Sequence, residues 1–338
     1  MKRIPSYNYL LFFVAFVLLT TNNLHAQTTD TAAYTLYKDR VVWYSDLGFN
    51  AAPFTLHGDF NEGVSKLRYK HNLKSTMGLG VMYKWFSLRV GFGLPGHLRP
   101  RSRFGESRYL DLGLSFNFQE LYWDIDIKDY QQYVIVNAYK WNDTLTSLKP
   151  NDFRPKTRAV SFSTNGWYFP TKDFNMSAIF GKVGHVNREI KTWYGKASFN
   201  IFGIGNDYQP ILPHELVDTT NTKTGARTMS ALDVGIIPGY AYANRVNNWQ
   251  IAALAGLGGV VQAKFYDANG ISRGFLGIAP RVDLRLIGGY STPSYFCWLV
   301  TDFDIKSIRY KEMRYNQTFY ALKLVAGYRF ERKKEDDD

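Results

Sequence analysis

The segment from Thr318 to Phe330 alternates strictly, and that alternation limits what the chain can become. Its even positions are Tyr320, Leu322, Leu324, Ala326, Tyr328 and Phe330; its odd positions include Lys323, Gly327 and Arg329. A period of two is the signature of a strand with one apolar and one polar face. Aromatic residues stand at both ends of the apolar face. Two folds accept such a strand. A soluble sandwich turns the charges to water and the aromatics to a core. An outer-membrane barrel turns the aromatics to lipid and the charges to the lumen.

The start of the chain favours the second. Met1 to Ala26 has the form of a secretory signal. Lys2 and Arg3 open it, Leu10 to Leu19 is an apolar run too short for a span, and Leu24-His25-Ala26 is a small-residue cleavage site that leaves Gln27 as the mature start. No later stretch approaches the roughly 18 apolar residues of a membrane helix, so any crossing must be made by strands. The single cysteine, Cys297, excludes an internal disulfide framework and a lipid-anchored start. It lies among Tyr295, Leu299 and Phe303 and reads as apolar filler. Aromatics make up 17 % of the chain and glycines number 28, yet mean hydropathy is −0.28. An apolar outside balanced by a polar inside gives that combination. The net charge of +12 suits basic loops, a cationic lumen or attraction to anionic lipid or solute. No motif for nucleic acid is present, and a secretory address argues against that partner.

The alternation recurs along the chain. Residues 27–40 read as a loose N-terminal segment. Val41 to Leu56 is strand material broken at Pro53, and Lys66 to Asn72 is a short alternating piece. Hairpins follow over 77–94 and 110–127, separated by the basic loop Leu94 to Arg103. A longer connection, 130–156, contains a short extra strand near 133–139. A third hairpin is expected over 157–169 and 172–181, then a strand over 192–203 and a long loop over 204–229. Ser230 to Asn244, Asn248 to Tyr266, Gly274 to Tyr290, Tyr295 to Lys306 and the closing strand complete the set, and 331–338 reads as a charged tail. About thirteen strands can be counted. A bacterial single-chain barrel takes an even number. The short turn at Glu120 also falls on the wrong side relative to the short links near Asn247 and Pro293. One strand is therefore miscounted, near 41–72 or 182–203. The expectation is an all-β, antiparallel transmembrane β-barrel of twelve strands, with ten to fourteen allowed, over 41–330 in the cell outer membrane. A soluble periplasmic sandwich is the competing fold.

Several short motifs carry a resemblance. Leu67-Arg68-Tyr69-Lys70-His71-Asn72, Gly78-Leu79-Gly80-Val81 and Tyr83-Lys84 resemble the opening signature of a family catalogued as domain of unknown function 4421. Arg108-Tyr109-Leu110-Asp111, Pro238-Gly239-Tyr240 and Gly327-Tyr328-Arg329-Phe330 are similar to its later motifs. The resemblance spans most of the mature chain. It implies an outer-membrane barrel of Bacteroidota-type bacteria and no defined activity or functional residue.

Candidate chemistry is sparse. His57, His71, His97, His185 and His214 are scattered, show no metal-ligand spacing and read as solvated, so neither a metal site nor a cofactor is expected. A lipase-like pair of Ser87 and His97 lacks a nucleophile elbow and a third group. Gly256-Leu257-Gly258-Gly259 lacks the lysine of a phosphate loop and sits inside a strand pattern. Asp-Thr-Leu at 143–145 and Asp-Thr-Thr at 218–220 match a short O-glycosylation acceptor pattern. The constellation that stands out is a ladder of inward charges. Arg281, Asp283 and Arg285 share one strand, Asp302, Asp304 and Lys306 the next, and Lys323 and Arg329 the one after. Arg89, Asp111, Asp124 and Asp126 do the same in the first half. Residues i and i+2 share a face, and opposite signs on neighbouring strands can pair. Such a ladder is either a salt-bridged filling or a polar pathway; its mixed signs favour the filling. The function expected is that of a non-enzymatic barrel, a narrow porin-like channel or a structural or assembly component of the envelope. The alternative is an outer-membrane enzyme acting on lipid or envelope glycan. The expected partners are outer-membrane lipid and lipopolysaccharide, the barrel assembly machinery, and a small polar solute.

Overall fold

The structure, a computed structural model, describes residues 32–118, 120–268 and 270–331. The expected signal segment and the tail from 332 onward lie outside the described residues. The strands are β1 (Tyr34–Leu36), β2 (Val41–Ala51), β3 (Phe54–Gly58), β4 (Lys66–His71), β5 (Ser75–Tyr83), β6 (Phe86–Gly93), β7 (Arg108–Asn117), β8 (Leu121–Ile135), β9 (Asp152–Tyr168), β10 (Gly184–Val186), β11 (Ile190–Asn206), β12 (Ala226–Val246), β13 (Trp249–Ala268), β14 (Ile271–Ser291), β15 (Tyr295–Arg309) and β16 (Met313–Phe330). Two single-turn helices, α1 (Arg101–Phe104) and α2 (Met176–Ile179), complete the regular elements considered below.

Twelve of these strands close into one antiparallel ring. Going round it, β2 pairs with β5, then β6, β7, β8, β9, β11, β12, β13, β14, β15 and β16, and β16 returns to β2 through Phe330↔Val41 to Tyr320↔Ala51. The twelve-stranded barrel expected from the sequence is what forms. Above β2 the ring narrows. Pro53 ends the first strand, which continues as β3, and the β3–β4 hairpin inserts between β16 and β8 through Gln317↔Phe54 and Tyr69↔Ile135. One end of the wall therefore has twelve strands and the other ten, because β2, β5, β6 and β7 stop short.

The polarity of the two faces changes along the strands while the side-chain alternation keeps its phase. On β16, Tyr320, Leu322, Leu324, Tyr328 and Phe330 are exposed outside, and Lys323 and Arg329 point in. Beyond Tyr320 the pattern inverts: Met313 and Tyr315 are buried inside, while Arg314 and Asn316 face out. β12 does the same, with Met229 and Ala231 buried inside at one end, then inward Asp233 followed by outward, exposed Val234 and Ile236. The apolar outside is the lipid-facing belt. Trp43, Trp85, Trp123, Tyr168, Trp193, Trp249, Tyr295 and Tyr328 rim it at one end, and Phe92, Phe265 and Tyr320 at the other. From Tyr320 to Phe330 the strand covers about 33 Å, or about 25 Å along the normal at the usual tilt, which is the height of a barrel's apolar band. Past the belt the wall is solvated outside, so its apolar residues turn inward. A closed barrel with such a belt is a membrane barrel of the outer-membrane type.

The wide end carries the short links at Lys84, Asn247 and 292–294; the narrow end carries three long ones, 94–107, 136–151 and 207–225, besides the short β13–β14 and β15–β16 links. Short turns mark the periplasmic side. The exception at the wide end is 169–189, which turns into the lumen. It contains the one strand that the sequence reading misplaced. Residues 172–181 are not half of a hairpin. Asn175 caps α2 by accepting from the Ser177 and Ala178 amides, and Phe174, Met176, Ser177, Ala178 and Ile179 are all buried. Removing this false strand restores the parity of the turns at Glu120 and Asn247. Likewise β8 and β9 run well into the expected 130–156 connection, and Tyr34–Leu36 in the expected loose segment pairs with β10.

Candidate functional site

The lumen has three layers. The middle one is polar and holds most of the ladder. Arg285 lies opposite Asp302 in the β14–β15 register and the two form an ion pair. Asp283 lies opposite Asp304, a like-charge pair that the fold resolves by sending each to a different cation. Asp283 meets Lys196 of β11 at 3.1 Å, and Asp304 lies 3.8 Å from Lys306. The Lys306 ammonium donates to Ser161 Oγ at 2.8 Å, Ser163 Oγ at 3.0 Å and Asn200 Oδ1 at 3.2 Å. Those acceptors stand on β9 and β11, so the bonds run across the lumen. Arg281 pairs with Asp233 of β12, which also accepts from Gln262 at 2.8 Å. Asp124 accepts from Asn165 at 2.9 Å.

The first half of the barrel has its own knot. Arg89 gives Nε and Nη2 to Asp46 at 2.6 and 2.9 Å and Nη1 to Asp111; Lys323 lies 3.8 Å from Asp111. A two-pronged guanidinium–carboxylate bond fixes geometry as well as charge. Room for it comes from Gly78 and Gly91, where a Cβ would collide with the Asp46 carboxylate or the Arg89 guanidinium. Gly80 is cleared in the same way for the ring of Tyr44. Glycines on the inward face of β5 and β6 were thus the available sequence signal for large groups beside them. Asp46, Lys196 and Asp233 belong to this layer and were missed, because single charges on otherwise ordinary strands do not declare a partner; Lys128, two residues beyond Asp126 on β8, belongs to it as well.

Arg329 does not join the ladder. It sits at the periplasmic end and donates to the carbonyls of Gly181, Lys182 (2.7 Å) and Thr292, and to Ser291 Oγ at 2.9 Å. It thereby ties the inserted 169–189 segment to the wall. Gln250 holds the Ala178 and Ile179 carbonyls at 3.0 and 3.1 Å, and Trp298 donates to Gly181 at 3.3 Å. With Phe169, Phe174 and Val183 these groups form an apolar inner cap. The outer cap is built from β3, β4 and the 207–225 loop. Phe54 stacks on Tyr69 at 4.3 Å, and the Ile211 carbonyl accepts from Tyr69 Oη at 2.7 Å, with Ile211, Leu212 and Leu216 buried beside them.

Between the caps lie two cavities of about 90 and 140 Å³, which share Asp124, Asp126, Lys128, Arg285, Asp302 and Lys323 as lining. Ligand pockets for small molecules run from about 300 Å³ upward, and both cavities fall below that range. Ser87 and His97 are not brought together: Ser87 is buried against Tyr44 Oη at the start of β6, and His97 is in the loop beyond its far end. His71 is not solvated. It is buried and lies against Tyr130 and Tyr133. Among the described residues no group of three or more His, Cys, Asp or Glu is placed to hold a metal ion.

No curated protein matches the chain. Among solved structures it is similar to the outer membrane protease OmpT from Escherichia coli (8 % identity, 90 % of this chain and 100 % of that one, TM-score 0.38). It is also similar to an outer membrane channel from Pseudomonas putida F1 (9 %, 90 % and 100 %, TM-score 0.36) and to the translocator domain of the autotransporter NalP from Neisseria meningitidis (8 %, 95 % and 96 %, TM-score 0.37). One of these is a protease, so the expectation of a non-enzymatic chain is withdrawn: a barrel architecture is no ground for it. Residues 30–330 match the family described as Domain of unknown function (DUF4421), and the chain belongs to that family.

Proposed function

We propose that this outer-membrane barrel stands closed and acts as a structural component of the envelope, its charge ladder serving as a filling that braces the wall. One observation carries this. The bonds of the middle layer run from wall to wall, with Lys306 reaching Ser161, Ser163 and Asn200 and Lys196 reaching Asp283. A selective pathway needs charges that face an opening, usually of one sign. Here they are spent on one another, and an apolar cap lies at each end. The size of the two cavities between the caps argues against a small polar solute held there. The barrel sits in lipid. Lipopolysaccharide in the outer leaflet and the barrel assembly machinery during insertion belong to this proposal, supported by the lipid-facing belt and the closed ring.

The test is planar-bilayer conductance of the refolded mature chain. Wild type is expected to be silent. Arg285→Ala and Asp302→Ala are expected to stay silent as well, because both caps remain. Steady wild-type conductance that either change alters would make the ladder a pathway and end this reading.

A further inference from the structure

The outward face of the wall above the belt carries a second charge pattern. The register places Arg309 of β15 opposite Arg314 of β16, Arg314 opposite His57 of β3, and His57 opposite Lys66 of β4. One row thus crosses four strands with a basic side chain at each step. Arg68 stands in the next row of β4 and Lys70 in the one after; Lys66 and Arg68 are exposed and Lys70 half-buried. All lie on the face opposite the outer-cap core, since Leu67 and Tyr69 between them are buried.

Some surface cations on this barrel are paired: Arg158 with Asp129 at 2.7 Å, Arg188 with Asp173 at 2.8 Å, and Lys223 with Glu312 at 2.7 Å. Among the described residues, Arg309, Arg314, Lys66, Arg68 and Lys70 have no carboxylate at ion-pair distance. Asp59 and Glu62 at the hairpin tip pair with none of them. Burial, then Lys66, Arg314 and Arg68, hold His57 below its ordinary value, and no acid offsets them. Like charges side by side cost stability unless an anion joins them.

Position decides which anion. On β16 the same outward face runs from Tyr320, at the rim of the lipid belt, through Thr318 and Asn316 to Arg314. The row at Asn316 and Arg68 is about 13 Å along the strand from Tyr320, or about 10 Å along the normal. Long basic side chains reach several ångströms further down. The face looks sideways, in the direction of the lipid-facing residues, into the head-group layer. The long loops put this end outside.

We propose that the outward face of β15–β16–β3–β4 binds the phosphorylated head group of an outer-leaflet glycolipid, with Arg314, Lys66 and Arg68 as its centre. This rests on the orientation of the barrel and not on whether its lumen conducts.

The test uses the full chain in non-ionic detergent, titrated with bis-phosphorylated lipid A and with its dephosphorylated form, and read by thermophoresis. Wild type is expected to prefer the phosphorylated lipid, with affinity falling as salt rises. The triple variant Lys66→Gln/Arg68→Gln/Arg314→Gln should lose about ten- to a hundredfold of that affinity. The inner-end variant Arg188→Gln should keep it. Heat-modifiable migration verifies each fold; if the triple variant lacks it, Arg68→Glu alone carries the same test. Equal affinity for the two lipids, or a triple variant that binds like wild type, overturns the proposal. So does displacement by poly-glutamate or inorganic phosphate at equal charge, which would assign the face to a soluble anion.

Discussion

The two ends of the lumen are closed in different ways. At the outer end the wall itself does it: β3 and β4 are strands of the sheet, their inward residues Phe54, Leu56, Leu67 and Tyr69 are core, and the 207–225 loop packs beneath them. At the inner end a separate segment, 169–189, is inserted and held by Gln250, Trp298 and Arg329 through its main-chain carbonyls. A cap made from the wall cannot leave without unpairing the wall. A cap hung from a few side chains can loosen while the barrel stays whole. The outer cap should therefore share the stability of the barrel, and the inner one should have a lower stability of its own.

The largest expected effect tests the outer cap. Phe54 is buried between Tyr69, Tyr133 and Tyr315. Phe54→Ala should cost about 3–5 kcal/mol. Urea unfolding of the micelle-bound barrel should show this as a shift of the whole transition. A separate early phase with the main transition unmoved would mean that the outer cap, too, is hung on. Next comes a pH dependence confined to that end. Burial, then Arg99, pushes His71 down to about 4 from 6.5. The unfolded chain takes up this proton as pH falls through 6.5 and the folded chain only near 4, so stability drops across that window and levels off below it. The loss is about 3 kcal/mol at most. His71→Phe should flatten the profile, and an unchanged slope would assign it to other groups. The smallest global effect is expected at the inner cap. Arg329→Ala leaves the Lys182 carbonyl without its donor and the Gly181 carbonyl with Trp298 alone, a local cost of about 1–3 kcal/mol. Amide exchange over 176–186 should quicken while β12–β14 stay protected. If the strands open equally, the caps do not differ.

The sequence disclosed the belt better than the rims, for a physical reason. Inside the membrane most outward positions are apolar, so Leu322, Leu324 and Tyr328 announce their face. Above Tyr320 the outside is wet and the rule reverses, so Tyr315 and Arg314 exchange roles and the polarity of the alternation reverses. The far end of β8 and the start of β9 lie in that zone, where their sequence reads as a connection. Phe174, Met176, Ala178 and Phe180 keep a spacing of two and imitate a strand, though Asn175 begins a helical turn there. Of the ladder, adjacent pairs such as Arg285 and Asp302 could be read from neighbouring strands. Bonds that cross the lumen, such as Lys306 to Ser161, could not, because they depend on how twelve strands curve.

The ring is closed by β2 and β16, the first and last of its strands, with Trp43 opposite Tyr328 roughly 285 residues further on. A sheet whose seam joins such distant partners gains nothing from local zipping at that seam, and contacts so far apart in sequence are slow to form. Until β16 arrives, β2 and β15 each present a bare hydrogen-bonding edge, a hazard in water and untenable in hydrocarbon. Assembly must therefore be all or nothing at its last step, and the closing strand, with its unbroken row of aromatics and aliphatics, is the one whose damage no earlier strand can compensate.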